Sequence, residues 1–248
     1  QLRPEARAQP VAQLHRHQGV EPELLERHVV RHRLDPEDLR RLRASTTAPI
    51  LCRINGYGPS TADEIEEAVD GGASEVLLPM VRRVEHVEEA LRRVAGRCGL
   101  GILVETGESV HEAERLGRLP LSRVFVGLND LAIERRSPSL FAPLADGTLE
   151  SIRTRFSLPF GFGGLTLPDL GHPIPCRLLM GEMARLGCGF SFLRRSFLAD
   201  TRGRDLAIEV PRIREAVADA FRRAPDEVAR DRKDLLSAIA SIPGAGAR

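Results

Sequence analysis

Between residues 49 and 131, four short runs rich in Val, Leu and Ile recur about every 24 residues, a spacing that constrains the fold more than any other feature. They read PILCRING, SEVLLPMV, GLGILVETG and LSRVFVGLNDL. Each of the first three is followed by a charged segment with helical periodicity, so the pattern predicts consecutive βα units on a parallel sheet. In parallel α/β architectures the ligand sits beyond the carboxyl ends of the strands. The residues that end the runs are therefore the candidates for a common site: Arg53 with Asn55, Pro79 with Met80, Glu105, and Asp130.

The chain has 248 residues, 42% of them hydrophobic and 29% charged, enough for one full-sized core. Its net charge is +1 with acids and bases interspersed, which leaves no electrostatic footprint for nucleic acid or a membrane surface. Cys52, Cys98, Cys176 and Cys188 are far apart and form no CxxC pair. That argues against a zinc ribbon and for reduced thiols, hence a cytoplasmic location. No apolar run is long enough to span a bilayer. Lys233 is the only lysine, and it lies in a stretch that reads as a surface helix. Schiff-base aldolases, pyridoxal phosphate enzymes and P-loop NTPases all need a lysine in the site, so those chemistries are excluded.

Taken in order, residues 1–48 read as a polar helical segment without a strand, 49–200 as the α/β core, 201–242 as C-terminal helices and 243–248 as a tail. His28 and His32 have the spacing of two metal ligands on one helix face, but the pattern is not HExxH, and a solvated face is the expectation. A helix beginning at STADEIEEAVDGG is expected to carry a serine or threonine cap. Beyond residue 134 the pattern weakens, then resumes with a strand in LPFGFGGLTL, a helix in CRLLMGEMARLG and a strand in GFSFLRRSF. The cluster Gly161, Gly163, Gly164 suits either a phosphate cradle or tight turns. Arg194 and Arg195 suit either an anion or solvent. His172 is a candidate proton carrier if its loop reaches the strand ends.

Three of the strand-end residues suggest chemistry. Arg53 offers a planar fork to a carboxylate or enolate oxygen, or else an ion pair to a neighbouring strand. Glu105 interrupts an apolar run, and a carboxylate there is costly unless paired or bound to a cation. With Asp130 it would supply two oxygens from neighbouring strand ends, a donor set suited to Mg²⁺ or Mn²⁺.

At this point the motifs carry a resemblance. RIN at 53–55, LPMV at 78–81, VETG at 104–107 and VGLNDLA at 126–132 resemble the successive strand ends of the HpcH/HpaI aldolase and citrate lyase β-subunit family, in the phosphoenolpyruvate/pyruvate TIM-barrel superfamily. The resemblance implies a TIM (β/α)8-type barrel, incomplete or divergent at its N-terminus, with extra helices at both ends. It implies a divalent metal on Glu105 and Asp130, and Arg53 beside the keto or enolate oxygen of a pyruvate-like group. The backbone around Gly127, Leu128, Asn129 and Asp130 would hold that group's carboxylate, with Asn55, Met80, Arg194 and Arg195 as further binding residues. The activity implied is a metal-dependent carbon–carbon lyase of the aldolase type, acting on a small 2-keto acid or a CoA ester through an enolate, in a homo-oligomer. Two other readings are an inactive barrel that serves as a binding module, and phosphotransfer of the phosphoenolpyruvate type.

Overall fold

The structure is a computed structural model and describes residues 36–137 and 139–242. His28 and His32, and most of the segment 1–48, lie outside the described residues. The chain divides after Ile102 into two compact units.

The first unit alternates α1 (Pro36–Ser45), β1 (Leu51–Arg53), α2 (Thr61–Asp70), β2 (Glu75–Leu78), α3 (Val84–Val94) and β3 (Gly99–Val104), whose last two residues belong to the second unit. The strands are parallel and in chain order: Leu51 lies opposite Glu75, and Glu75 opposite Gly99, so the recurrence seen in the sequence is the register of the sheet. All four residues of β2 are buried, Glu75 as well as Val76, Leu77 and Leu78, as when both faces of a parallel sheet are covered. The helices bury one stripe each, Ile65 and Ala68 on α2, and Val84, Val87, Ala90 and Val94 on α3. Leu39 of α1 packs where Gly71 has no side chain, 2.5 Å from the position a Cβ would take there. The serine cap expected on α2 is not made. Ser60 donates instead to Glu64 Oε1 at 2.7 Å, and Thr61 Oγ1 accepts from the Gly58 amide at 2.8 Å.

The second unit runs from the end of β3 through α4 (Gly107–His111), α5 (Ala113–Leu116), β4 (Arg123–Val126), α6 (Leu128–Glu134), α7 (Ala142–Ala145), α8 (Thr148–Arg153) and β5 (Phe160–Leu165). It continues with α9 (Cys176–Arg185), β6 (Phe190–Leu193), α10 (Phe197–Asp200), α11 (Leu206–Arg222) and α12 (Pro225–Ala240). Strands β4, β5 and β6 are parallel and in chain order, with a bulge in β5 between Gly161 and Gly164. Helices α11 and α12 both pack on α9. A buried ionic cluster fastens them: Glu182 on α9, almost without exposure, accepts from Arg185 at 2.7 Å and from Arg232 of α12 at 2.8 Å. Arg232 also donates to the Leu144 carbonyl at 2.6 Å and to Glu150 at 2.8 Å.

This is an α/β fold with six parallel strands among the described residues. The expected barrel is met in part: six strands are two short of a closed (β/α)8 barrel. No strand precedes Ile50 in the described residues, where α1 stands instead. The helix expected around residues 36–45, the six strands and the C-terminal helices all form where the periodicity places them. No helix among the described residues is long and apolar enough to cross a membrane.

Candidate functional site

The strand ends of the second unit gather two acids around one turn. Glu105 follows β3 directly and is 2% exposed. Its carboxylate packs on Gly127: a Cβ at that position would stand 2.5 Å from Glu105 Oε2 and 2.8 Å from Glu105 Cβ, so only glycine lets the acid lie there. Gly127 opens α6, and Asp130 lies in the first turn of that helix, half-buried. Among the described residues Asp130 has no hydrogen-bond or ion-pair partner.

Local hydrogen bonds tie the segment around Glu105 to the helix that carries Asp130. The Gly127 amide donates to the Val104 carbonyl at 3.1 Å, joining the residue before Glu105 to the start of α6. The Gly107 amide donates to Glu134 Oε1 at 2.7 Å, joining the residues after Glu105 to the end of the same helix. Between them Thr106 and Ser109 form a buried capping box, with Thr106 Oγ1 accepting from the Ser109 amide at 3.1 Å and Ser109 Oγ from the Thr106 amide at 3.2 Å. Glu105 is therefore held by the backbone on both sides of it. Thr106 is of a residue type that caps helices, and Ser109 stands where the usual sequence signal has Glu or Gln.

The other expected site residues fall into separate groups. In the first unit Arg53 ends β1 and is exposed. Asn55 is committed to α2: its amide donates to Glu64 Oε2 at 2.7 Å and its Nδ2 to Glu64 Oε1 at 2.9 Å. Met80 is exposed with φ 51°, a conformation unfavourable for a side chain with a Cβ, and its Cβ lies 3.4 Å from where Gly56 would carry one. Tyr57 stacks on His86 with ring centroids 4.0 Å apart. Nothing in the spacing of these two residues marks that contact beforehand.

In the second unit Leu128 is buried and Asn129 exposed. Arg194 reaches Asp200 Oδ2 at 3.1 Å, and Asp200 also takes the hydroxyls of Ser196, at 3.0 Å, and Thr166. Burial pushes the Asp200 carboxyl up, but the hydrogen bonds from Thr166, Arg194 and Ser196 outweigh it and hold it below the usual carboxylate range. Arg195 and His172 are exposed.

Glu105 and Asp130 fit a small hard cation by their chemistry: two oxygen donors, one buried, one half-open and unclaimed. No group of three or more His, Cys, Asp or Glu that could hold a metal is found among the described residues. An ion of the Mg²⁺ type, bound through one or two carboxylates and otherwise by water and substrate oxygens, asks for no more.

Six parallel strands among the described residues, each followed by one or more helices, define an α/β protein, with Glu105 and Asp130 beyond the ends of two neighbouring strands. Among solved structures the chain is similar to RipC from Yersinia pestis, at 16% identity and a TM-score of 0.51, over 77% of this chain and 84% of that one. It is similar also to a citrate lyase from Burkholderia xenovorans LB400, at 14% identity and a TM-score of 0.53, over 83% of this chain and 70% of that one. The likeness is one of fold, and it agrees with the resemblance that the strand-end motifs carry. No family model matches the chain, and no curated protein matches it.

Proposed function

We propose that this chain is a metal-dependent carbon–carbon lyase acting on a 2-keto acid or a CoA ester, with Glu105 and Asp130 holding one Mg²⁺ or Mn²⁺. The supporting observation is the buried Glu105 carboxylate packed on Gly127, the residue that opens the helix carrying Asp130, whose side chain has no partner among the described residues. Carboxylate oxygens are the ligand type that Mg²⁺ and Mn²⁺ take from a protein. When bound, the ion acts as a Lewis acid toward the substrate's carboxylate and carbonyl oxygens.

The chain's own residues do the rest. The capping box and the amide of Gly107 hold Glu105 in place, so its carboxylate need not reorganise when charge develops nearby. Asp130, half-open, is the side from which substrate and water approach.

The test is exchange of the pyruvate methyl protons with deuterated solvent. Exchange that needs Mg²⁺ or Mn²⁺ and is lost in Glu105→Ala and in Asp130→Ala is expected. Exchange that persists in EDTA would reject the metal mechanism.

One observation favours a second reading, a binding module without turnover: no third metal-ligating residue joins the pair among the described residues. Calorimetry separates the two. The module would bind Mg²⁺ and oxalate yet exchange no protons on pyruvate.

A further inference from the structure

The helix that carries Asp130 is tied at both of its ends to the segment that carries Glu105. At its start the tie is a bond between backbone groups, from the Gly127 amide to the Val104 carbonyl at 3.1 Å. At the other end a side chain makes it. Glu134, the last residue of α6, takes the Gly107 amide on its Oε1 at 2.7 Å. Gly107 is the first residue of α4, whose amide has no acceptor within its own helix. The capping box serves the amides on either side of it, since Thr106 Oγ1 accepts from the Ser109 amide and Ser109 Oγ from the Thr106 amide. Glu134 thus supplies the acceptor that the box leaves out. A Cβ on residue 107 would stand 3.3 Å from Glu134 Oε1, so glycine gives the carboxylate room to close on the amide.

Both residues are exposed, where a single hydrogen bond contributes little to folding. Its consequence lies in what it joins. Asp130 and Glu134 are four residues apart and share one face of α6, and Gly107 stands two residues past Glu105. One hydrogen bond therefore connects a point one helical turn from Asp130 to a point two residues from Glu105. Without it the tie at Gly127 remains, but the turn of α6 beyond Asp130 loses this hold on residues 105–107.

We propose that Glu134 is a positioning residue for the ion. It keeps Asp130 at the spacing from Glu105 that one Mg²⁺ or Mn²⁺ requires, and it acts as a hydrogen-bond acceptor, not as a ligand and not through its charge. This rests on the reading of Glu105 and Asp130 as the metal pair. Removing a group that orients metal ligands from outside the coordination shell typically weakens binding by about 10- to 100-fold, and an exposed bond belongs at the lower end of that range.

Titration of the purified chain with Mn²⁺, read from the free-ion signal in electron paramagnetic resonance, tests it. Glu134→Ala is expected to raise the dissociation constant about tenfold, and Glu134→Gln, whose amide oxygen still accepts from Gly107, to stay within about twofold of the unaltered chain. Glu64→Ala removes a carboxylate that makes the same kind of bond in the first unit, to the Asn55 amide at 2.7 Å, and is expected to leave the constant alone. A loss of folded protein lowers the number of ions bound per chain and not the constant, so the two quantities separate positioning from stability. An unchanged constant in Glu134→Ala overturns the role. Equal weakening by Ala and Gln overturns it in favour of a charge or ligand role for Glu134. Equal weakening by Glu134→Ala and Glu64→Ala overturns it as a general effect of loosened structure. In each of these cases the two acids still stand as the metal pair, whereas absence of Mn²⁺ uptake by the unaltered chain overturns the pair and the role of Glu134 together.

Discussion

The strand ends of the two units spend their polar groups differently. In the first unit Asn55 gives both its amides to Glu64, Ser60 adds a third hydrogen bond to the same carboxylate, and Tyr57 lies flat on His86. These groups stitch a loop to a helix. In the second unit the backbone does the stitching, through the Gly127 and Gly107 amides and the capping box, and the carboxylate of Asp130 has no partner among the described residues. A polar side chain already satisfied by its neighbours stabilises structure, and one held ready beside a buried acid is available to a ligand.

Two glycine substitutions sharpen that contrast most. Gly127→Ala drives a Cβ to within 2.5 Å of the Glu105 carboxylate, and is expected to lower pyruvate exchange by about 10²-fold or more, the usual loss when a preorganised charge-stabilising group is displaced. Gly58→Ala meets nothing nearer than 3.8 Å in the first unit and should leave exchange alone, with stability within about 0.5 kcal/mol by urea titration. Equal effects at the two positions would erase the distinction between the rims.

Next in size is the ionic cluster of the second unit. Arg232→Ala removes a donor from Glu182, Glu150 and the Leu144 carbonyl at once and is expected to cost about 3 kcal/mol in urea unfolding, because Glu182 stays buried with only Arg185 to answer it. Glu64→Ala is smaller. It strips Asn55 of its partner at an exposed site, and a loss of about 1 kcal/mol with no change in ion binding is the expected outcome.

The smallest effect involves the buried thiols, where the units agree. Burial pushes Cys52 and Cys188 up to about 12 from 9.0. A folded-state pKa above the unfolded one gives stability that is complete below pH 9 and lost as pH rises toward 12. Urea midpoints should therefore fall between pH 8 and pH 10. At pH 8 an alkylating reagent should reach the half-buried Cys98 first, and Cys52 and Cys188 only on unfolding.

Much of this molecule was legible in the sequence, because parallel strands buried on both faces write long apolar runs. The spacing of the runs is the register itself, Leu51 opposite Glu75 opposite Gly99. Glu105 stood out since an acid ends a run of Ile102, Leu103 and Val104, and Asp130 because it stands just past the end of the fourth run. Arg194 and Asn55 read as anion or substrate contacts, yet each is tied to an acid nearby, Asp200 and Glu64. Such pairings depend on side-chain reach, which residue spacing does not encode. A cluster of phenylalanines in the second unit was hidden for a related reason: Phe125, Phe190 and Phe192 meet only because Gly161 aligns β4 with β6, a consequence of register between distant segments.

The most direct test is uptake of Mn²⁺ by the purified chain, followed through the loss of the free-ion signal in electron paramagnetic resonance. One ion bound per chain, absent in Asp130→Ala and in Glu105→Ala while circular dichroism shows both variants folded, is the expected result. Uptake unchanged in both variants would contradict the assignment of these acids as the ligands, and with it the proposed chemistry.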